Sequence, residues 1–267
     1  MPGPEAISIE IPKKYHFLRP VFLTDLVRIG RESDGGYLAV MDKIRSADHV
    51  ISFGIGMDLS FEAHLLEVNK HLNFQIFDHT VSKPTKKKMI KVAIKGLFFR
   101  DFGLLKNYRR FNNQYESVLR DSQHWKKRIT GSAWFSYDVT AGEIFSGYSG
   151  TNGILKIDIE GSEYRILDNV SESINKFQLA IIEFHDSDLH IDRIKIFVKS
   201  IEKTHRIVHF HANNFAGASK EGLPEVFELT IMKMSGKKVK RRRDTLPLDL
   251  LDFPNAPHRP DFQINWA

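Results

Sequence analysis

Short apolar runs recur along the chain and alternate with segments of helical spacing. The runs cover 48–53, 74–77, 154–159, 179–182, 206–210 and 226–232. Apolar runs of this length, bounded by turn signals, are typical of buried strands. Several of them are separated by helix-compatible segments, at 60–68, 163–170 and 191–204. This alternation predicts an α/β protein with an open, doubly wound sheet.

The last two runs differ from the others because no helix separates them. The segment 215–224 between them contains glycines and a proline, which favours a hairpin. We therefore predict a seven-stranded sheet whose last strand is antiparallel, unlike the fully parallel dinucleotide-binding fold. We divide the chain into a leader (1–47), a catalytic domain (48–235) and a basic C-terminal tail (236–267) that packs on the domain. Residues 79–130 of the domain are interpreted as a basic, mostly helical insertion or cap.

Glycines and an acidic residue follow the first two runs. Gly54 and Gly56 form a Gly-x-Gly turn, and Asp78 ends the second run about 20 residues later. Such glycines let a ligand approach the backbone, and an acid at this spacing accepts hydrogen bonds from a ribose diol. The third glycine of the dinucleotide fingerprint is missing, because position 59 is Leu59. The pattern therefore favours a nucleoside-containing cofactor without phosphates, such as S-adenosylmethionine.

Carboxylates end the third run, in the segment 153–163. Asp158 and Glu160 lie where open α/β sheets bind their ligands. Carboxylates in such a place cost desolvation unless a ligand, a metal or a hydrogen-bond donor compensates. The alternative interpretation is a strand end followed by a solvated acidic turn.

The next two runs along the chain also end in polar residues. Glu183 and His185 end one of them, and His211, Asn213 and Asn214 end the other. Because the carboxyl ends of parallel strands meet at one edge of the sheet, these side chains are candidates for the same site. The alternative is that His211 is a structural residue at the strand end and that Asn213 and Asn214 form a turn.

Composition and charge narrow the classes of function. The 267 residues contain no cysteine, which excludes disulfides, thiolate zinc sites and a cysteine nucleophile. No apolar run reaches the roughly 18 residues that span a bilayer, and the first residues lack the pattern of a signal peptide, so we expect a cytoplasmic protein. The oligomeric state is left open.

The net charge of +6 is unevenly distributed. Lysine and arginine are concentrated in the insertion and in the run 237–243. Such patches could attract an anionic substrate, a lipid surface or nucleic acid, or could simply form a solvated basic surface. Because no nucleic-acid-binding module is recognisable, we expect no nucleic-acid partner, whereas peripheral contact with a membrane stays open.

The sequence resembles the FkbM-type family of S-adenosylmethionine-dependent methyltransferases. The segment 156–163 (KIDIEGSE) matches the most specific motif of the family. The segments 28–30, 34–37, 183–185, 211–214 and 251–255 resemble one branch of it. The resemblance extends from about residue 26 to 262 and is weakest over the insertion. It implies a class I methyltransferase (Rossmann-like) fold and O-methylation of a hydroxyl, often on a sugar of a glycan, in polysaccharide biosynthesis or on a natural product.

The resemblance also implies roles for individual residues. Asp158 would lie beside the sulfonium and the acceptor. Cofactor contacts are expected from Gly54, Gly56, Asp78, Asp34, Gly35, Gly36, Tyr37 and Asp138. Acceptor contacts are expected from Glu160, Asn213 and Asn214.

Two hypotheses account for activation of the acceptor hydroxyl, which must lose its proton. In the first, His185 or His211 is the general base, because the pKa of histidine is near neutrality. In the second, Asp158 and Glu183, with His185 or Asp186, bind Mg²⁺ or Mn²⁺, which prefer hard oxygen ligands.

Proteins of other classes would explain parts of the sequence. A nucleic-acid methyltransferase would explain the basic patches. A nicotinamide-dependent oxidoreductase would explain the first βαβ unit and Asp78, but neither the missing glycine nor the closing hairpin. A non-enzymatic glycan-binding protein would have no need of carboxylates at two neighbouring strand ends.

Overall fold

A computed structural model describes residues 6–82, 86–98, 102–119, 123–234 and 241–266. The strands are β1 (Ile7–Ile11), β2 (Leu26–Ile29), β3 (Tyr37–Val40), β4 (His49–Phe53), β5 (Asn73–Phe77), β6 (Gln123–Trp125), β7 (Arg128–Thr130), β8 (Asp138–Thr140), β9 (Gly153–Ile157), β10 (Phe177–Phe184), β11 (His205–Ala212), β12 (Phe227–Lys233), β13 (Thr245–Leu246) and β14 (Phe262–Trp266). The α-helices are α1 (Met41–Arg45), α2 (Ser60–Val68), α3 (Lys86–Phe98), α4 (Phe102–Val118), α5 (Ala141–Gly147), α6 (Leu167–Ser173) and α7 (Ile191–Ile201).

A seven-stranded sheet forms the centre of the molecule, in the order β11-β12-β10-β9-β4-β5-β6. Neighbouring strands from β10 to β6 are parallel, whereas β12 runs antiparallel to both β10 and β11. The loop before β12 is the hairpin that the glycines and the proline predict. The prediction of a class I methyltransferase fold with a reversed last strand is confirmed.

The edge strand β6 lies inside the segment that we interpreted as an insertion. Helices α3 and α4 occupy much of this segment, in agreement with its predicted helical character. The three residues of β6, however, pair with β5 and complete the sheet. They read Gln-His-Trp and leave Trp125 43% exposed. The apolar pattern missed β6 because an edge strand this short buries no continuous run of side chains.

Two apolar cores cover the two faces of the sheet. One contains side chains of α5, α6 and α7, and the other contains side chains of the hairpin β2–β3 and of α2 and α4. The strands between them are almost entirely buried, as expected for parallel strands covered on both faces. The leader hairpin therefore covers the sheet beside the carboxyl ends of its strands.

The leader and the tail join in a second, three-stranded sheet. Strand β1 pairs in parallel with β14, which pairs with β13. The tail also contacts the central sheet, because the amide of Asn255 donates a hydrogen bond of 2.8 Å to Glu228. Positions 237–240 of the predicted basic run 237–243 lie outside the described residues. Among the described helices, none combines the length and apolar character needed to cross a bilayer.

Candidate active site

A cavity of about 290 Å³ lies at the carboxyl ends of β4, β5 and β9. This volume is close to the lower limit, about 300 Å³, of typical small-molecule sites. Its wall carries more carboxylates than cations. The lining carboxylates are those of Asp34, Asp58, Glu62, Asp78, Asp158 and Glu160, and the lining cations are Lys127, Arg128 and Lys156. The excess of acid suits a positively charged ligand and disfavours a pyrophosphate.

The predicted glycine turn forms one wall of this cavity. Gly54 has a φ of +76°, and a side chain there would come within 1.7 Å of the carbonyl oxygen of Asp158. Only glycine therefore lets the turn pass so close to the end of β9. Gly56 also lines the cavity, and a Cβ at this position would meet no atom within 4 Å.

Asp78 holds the glycine turn in place. Its Oδ2 accepts hydrogen bonds from the backbone N–H groups of Ile55 at 2.9 Å and Gly56 at 3.1 Å. Its Oδ1 accepts from the backbone and the hydroxyl of Thr80. Burial alone would raise the pKa of Asp78, but these donors outweigh burial and lower the pKa below its usual value. Asp78 lines the cavity as predicted, and its contact with a ribose stays a prediction.

Lys156 is a functional candidate that the sequence analysis missed. Its side chain is buried, and its Nζ lies 2.7 Å from the carbonyl oxygen of Gly54 and 3.4 Å from Oδ2 of Asp158. Burial would lower the pKa of Lys156, but Asp158 and Glu62 raise it, so the ammonium form is stabilised. The two-residue spacing to Asp158 was the available signal, because residues i and i+2 of a strand share a face.

The predicted leader loop closes another side of the cavity. Asp34, Gly35 and Tyr37 line it, and the Tyr37 hydroxyl lies 3.4 Å from Oδ2 of Asp158. Gly36 does not line it, and its contact with a cofactor stays a prediction. A Cβ at Gly36 would lie 1.9 Å from the carbonyl oxygen of Arg31, so this glycine is required for close packing inside the loop.

A row of polar residues crosses three strands beside Asp158. Glu183 on β10 pairs with Glu228 on β12, which pairs with His211 on β11. Glu183 is buried, and Asn213 donates a hydrogen bond of 2.7 Å to it. Burial, Asp158 and Glu228 raise the pKa of Glu183 well above its usual value, which favours the protonated carboxyl.

The structure argues against His211 as the general base. Its ring is buried, does not line the cavity, and has its Nδ1 3.7 Å from Oε2 of Glu228. Burial opposes protonation, but the neighbouring carboxylates of Glu228 and Asp252 raise the pKa of His211 to about 9. An imidazole that is already protonated at neutral pH cannot accept the proton of a hydroxyl. The neighbouring His209 contacts Asp252 at 3.0 Å and is equally buried.

Asn213 and Asn214, predicted to contact the acceptor, are buried in structural roles. Asn213 bridges Glu183 and the backbone N–H of Phe215. Asn214 hydrogen bonds to the C-terminal segment, including the backbone N–H and carbonyl of Ala256. Neither residue lines the cavity. Asn214 holds the tail against the sheet and Asn213 holds Glu183, roles that adjacent asparagines in a sequence do not reveal.

Asp138, predicted to contact the cofactor, organises its own loop instead. Its carboxylate binds Arg128 through two hydrogen bonds of 2.8 and 3.1 Å, and accepts two more from the N–H groups of Trp134 and Phe135. The hydrogen bond from Arg128, opposed by desolvation, lowers the pKa of Asp138 to about 2. Asp138 lies outside the cavity wall, but Arg128 belongs to it, so the carboxylate fixes a residue of the wall.

His185 does not line the cavity itself, but it lies beside Asp158 and Glu160, which do, and a buried carboxylate holds its ring. Its Nδ1 is 3.2 Å from Oε1 of Glu163, and its Nε2 is 3.3 Å from Oε2 of Glu160. Because Nδ1 donates to Glu163, Nε2 is the basic nitrogen of the neutral ring. Burial would lower the pKa of His185, but the hydrogen bond to Glu163 outweighs it and raises the pKa.

Glu163 also shapes the acidic loop. Its Oε1 accepts hydrogen bonds from the N–H groups of Ile159 at 3.0 Å and Gly161 at 3.2 Å. Between them, Glu160 adopts a φ of 54°, which costs a non-glycine residue about 1 kcal/mol. Glu163 belongs to the motif 156–163, but its position there predicted no role for it. Its fully buried side chain fixes both the conformation of the acidic loop and the position of the His185 ring.

The structure brings together a different metal-ligand set from the predicted pair. Among the described residues, ligand atoms of Asp158, Glu160 and His185 all lie within 4.8 Å of one another. Glu183 is not in this group, although its Oε1, which accepts a hydrogen bond from Asn213, lies 3.9 Å from Nε2 of His185. The ammonium of Lys156 beside Asp158 supplies part of the positive charge that a metal would bring. Binding of a metal stays a prediction.

Comparison with known proteins supports the resemblance seen in the sequence. Residues 149–215 match the methyltransferase FkbM domain. The match includes Asp158, Glu163, Glu183 and His185. It confirms the resemblance over this segment and supports a methyltransferase. No curated protein matches the chain.

Solved structures that are similar to parts of this chain include several methyltransferases. A precorrin-6y C5,15-methyltransferase from Geobacter metallireducens GS-15 is 12% identical over 72% of this chain and 86% of its own, with a TM-score of 0.39. A putative rRNA-methylase from Clostridium thermocellum is 10% identical over 73% and 95%, with a TM-score of 0.39. An O-methyltransferase family protein from Burkholderia thailandensis is 10% identical over 73% and 53%, with a TM-score of 0.36.

Proposed function

We propose that this protein is an S-adenosylmethionine-dependent O-methyltransferase that acts on a hydroxyl of a sugar or glycan. The observation that carries the proposal is the acid-rich cavity at the glycine turn. S-adenosylmethionine carries a sulfonium and an ammonium group, and carboxylates such as Asp34 and Asp158 complement both charges. A nicotinamide dinucleotide would bring a pyrophosphate into the same acidic surroundings, which opposes binding.

The residues around the cavity suggest a division of labour. When bound, the cofactor supplies an electrophilic methyl group. Asp158 would orient the acceptor hydroxyl, and Nε2 of His185 would accept its proton. Glu163 would keep the imidazole in the tautomer that this requires. Alignment of the reacting atoms contributes several kcal/mol in such reactions, and a positioned base about 10²- to 10⁴-fold in rate.

Exposed aromatic rings beside the cavity support a sugar acceptor. We call Trp134, Phe135 and Tyr137 the aromatic ledge; Trp134 is 82% exposed. Phe135 and Tyr137 stack with ring centroids 5.3 Å apart. Arg128, which lines the cavity, lies over both rings. Exposed flat rings of this kind are available to pack against the C–H face of a sugar ring.

A nucleic-acid acceptor is the second candidate, and one observation favours it. Lys126, Lys127 and Arg128 lie next to the aromatic ledge in the chain, and rings beside cations can stack bases and bind phosphates. The two candidates differ in salt dependence. Binding of a nucleic acid would weaken steeply with added salt, whereas binding of a neutral sugar would not.

Calorimetric titration with S-adenosylhomocysteine tests the cofactor class, in Mg²⁺ and again in EDTA. We expect binding in the micromolar range. NADH and NADPH are the matched controls and should give no heat. Absence of S-adenosylhomocysteine binding by the folded protein would contradict the proposal. Loss of binding in EDTA would place a metal next to the cofactor. If cofactor binding is unaffected by EDTA, an activity assay with and without Mg²⁺ tests the ligand set of Asp158, Glu160 and His185.

A further inference from the structure

Helix α3 carries an exposed face with both apolar and basic side chains. Ile90 and Ile94 are 60% and 63% exposed, although each is a large aliphatic residue. Lys87, Lys91 and Lys95 are also exposed. At 100° per residue, these five side chains fall within one arc, with the isoleucines on one side and the lysines on the other.

The composition of this helix is unusual for a solvated surface. The segment Lys86–Phe98 (KKKMIKVAIKGLF) contains no acidic residue. Helix α4 is the element against which α3 packs most closely. Exposed aliphatic side chains beside lysines, on a helix whose own sequence contains no acidic residue, are typical of helices that lie in a membrane–water interface.

We propose that the exposed face of α3 docks on an anionic phospholipid surface. The isoleucines would enter the region between the headgroups and the acyl chains, and Lys87 and Lys91 would reach lipid phosphates and carboxylates. Charge complementarity favours this partner, because the basic half of the face needs an anionic surface. The apolar half favours lipid over nucleic acid, because phosphate backbones would leave both isoleucines in water.

The position of α3 connects this surface to the cavity. The helix begins six residues after Thr80, which lines the cavity. Six residues span at most about 20 Å. A docked α3 would therefore hold the cavity within a short distance of the lipid surface. This inference concerns attachment and holds whether or not the acceptor is a sugar.

Co-sedimentation with vesicles tests the proposal, with phosphatidylcholine vesicles compared with vesicles that also contain phosphatidylserine. We expect the protein to sediment with the anionic vesicles only. Two double variants should each reduce binding about tenfold: Ile90→Ser with Ile94→Ser, and Lys87→Gln with Lys91→Gln. Two matched double variants in and around α7 serve as controls. One is Leu189→Ser with Ile196→Ser, and the other is Lys199→Gln with Lys203→Gln. All four of these residues are exposed. These controls should bind like the unchanged protein.

A fluorescent label gives a second measurement that does not depend on weakened binding. Because the chain has no cysteine, Ile94→Cys provides a unique site for an environment-sensitive dye. A blue shift on anionic vesicles is expected, and a dye at Ile196→Cys should show none. The proposal is wrong if the folded protein ignores anionic vesicles or if the control variants lose binding equally. The proposal is also wrong if the lysine double variant loses vesicle binding, the isoleucine double variant keeps it, and RNA displaces the protein from vesicles.

Discussion

The polar region beside Asp158 has two halves, and similar residues have different roles in them. On β9 and the loop that follows, Lys156 and Asp158 face the cavity under the leader loop. On β11, His209 and His211 lie on the same side of the sheet, sealed by Glu228 and Asp252. Both halves join basic side chains to carboxylates, but Lys156 and Asp158 line the cavity and the two histidines do not. Residue type alone therefore does not separate chemistry from structure here; contact with the cavity, or with the carboxylates that line it, does.

The largest expected difference concerns turnover. His185→Gln should reduce kcat by about 10²- to 10⁴-fold, because it removes the proposed base while keeping the side-chain volume. His211→Gln should leave kcat within a few-fold, because that ring lies against buried Glu228, whereas His185 lies beside the cavity-lining Asp158 and Glu160. Transfer of a labelled methyl group measures both. Equal losses in the two variants, with both proteins folded, would remove the distinction between the two halves.

The pH dependence of stability, in contrast to turnover, should depend strongly on His211. The folded pKa of His211 is about 9 and its unfolded pKa about 6.5, so its stabilising contribution is complete below pH 6.5 and is lost as the pH rises towards 9. The shift corresponds to about 3 kcal/mol in the free energy of unfolding. Urea unfolding at several pH values measures this slope.

A histidine on the same strand serves as the control for that slope. Burial lowers the pKa of His205 below its usual value, so its contribution changes on the acid side and not above pH 6.5. His205→Gln should therefore retain the loss of stability between pH 6.5 and 9, and His211→Gln should reduce it, leaving the part that comes from the raised pKa values of His185 and Glu183. If both variants keep the slope, another group titrates there and the assignment to His211 fails.

The smallest expected effect concerns the pH profile of the reaction. A general base must be neutral, so activity should rise with pH through the raised pKa of His185. Glu163→Gln keeps an oxygen for the N–H groups of Ile159 and Gly161 but removes the charge. The rising limb should move to lower pH, because the carboxylate that opposes the effect of burial on the pKa of His185 is then gone. An unchanged profile would show that Glu163 acts on the loop alone.

The sequence was most informative where a buried run ended in a short motif. The glycine turn, Asp78, Asp158 and Glu160 all reach the cavity wall, because strand ends in a parallel sheet converge. Residues carried over from later motifs, such as Asn214 and His211, proved to be buried partners of the tail and of β12. Their contacts are long-range and leave no periodic signal.

The same limit explains the candidates that went unrecognised. A lysine inside an apolar run gives no local indication that Gly54, about a hundred residues earlier, will accept its hydrogen bond. Glu163 likewise lies in a motif whose spacing suggests a turn, while its partner His185 comes from the next strand along the chain. Strand pairing brings these residues together, and pairing is what an apolar pattern specifies least.

The pairing of β1 with β14 constrains how the protein is made. Ile7 and Phe262 are direct partners, although they are 255 positions apart. During synthesis β1 has no strand to join until β14 has left the ribosome, and contacts this distant in sequence form slowly. The tail that carries Asp252 and Asn255 arrives at the same late stage. The buried carboxylates beside the site therefore gain their last partners only after this segment has been translated. On a stalled ribosome they would stay exposed.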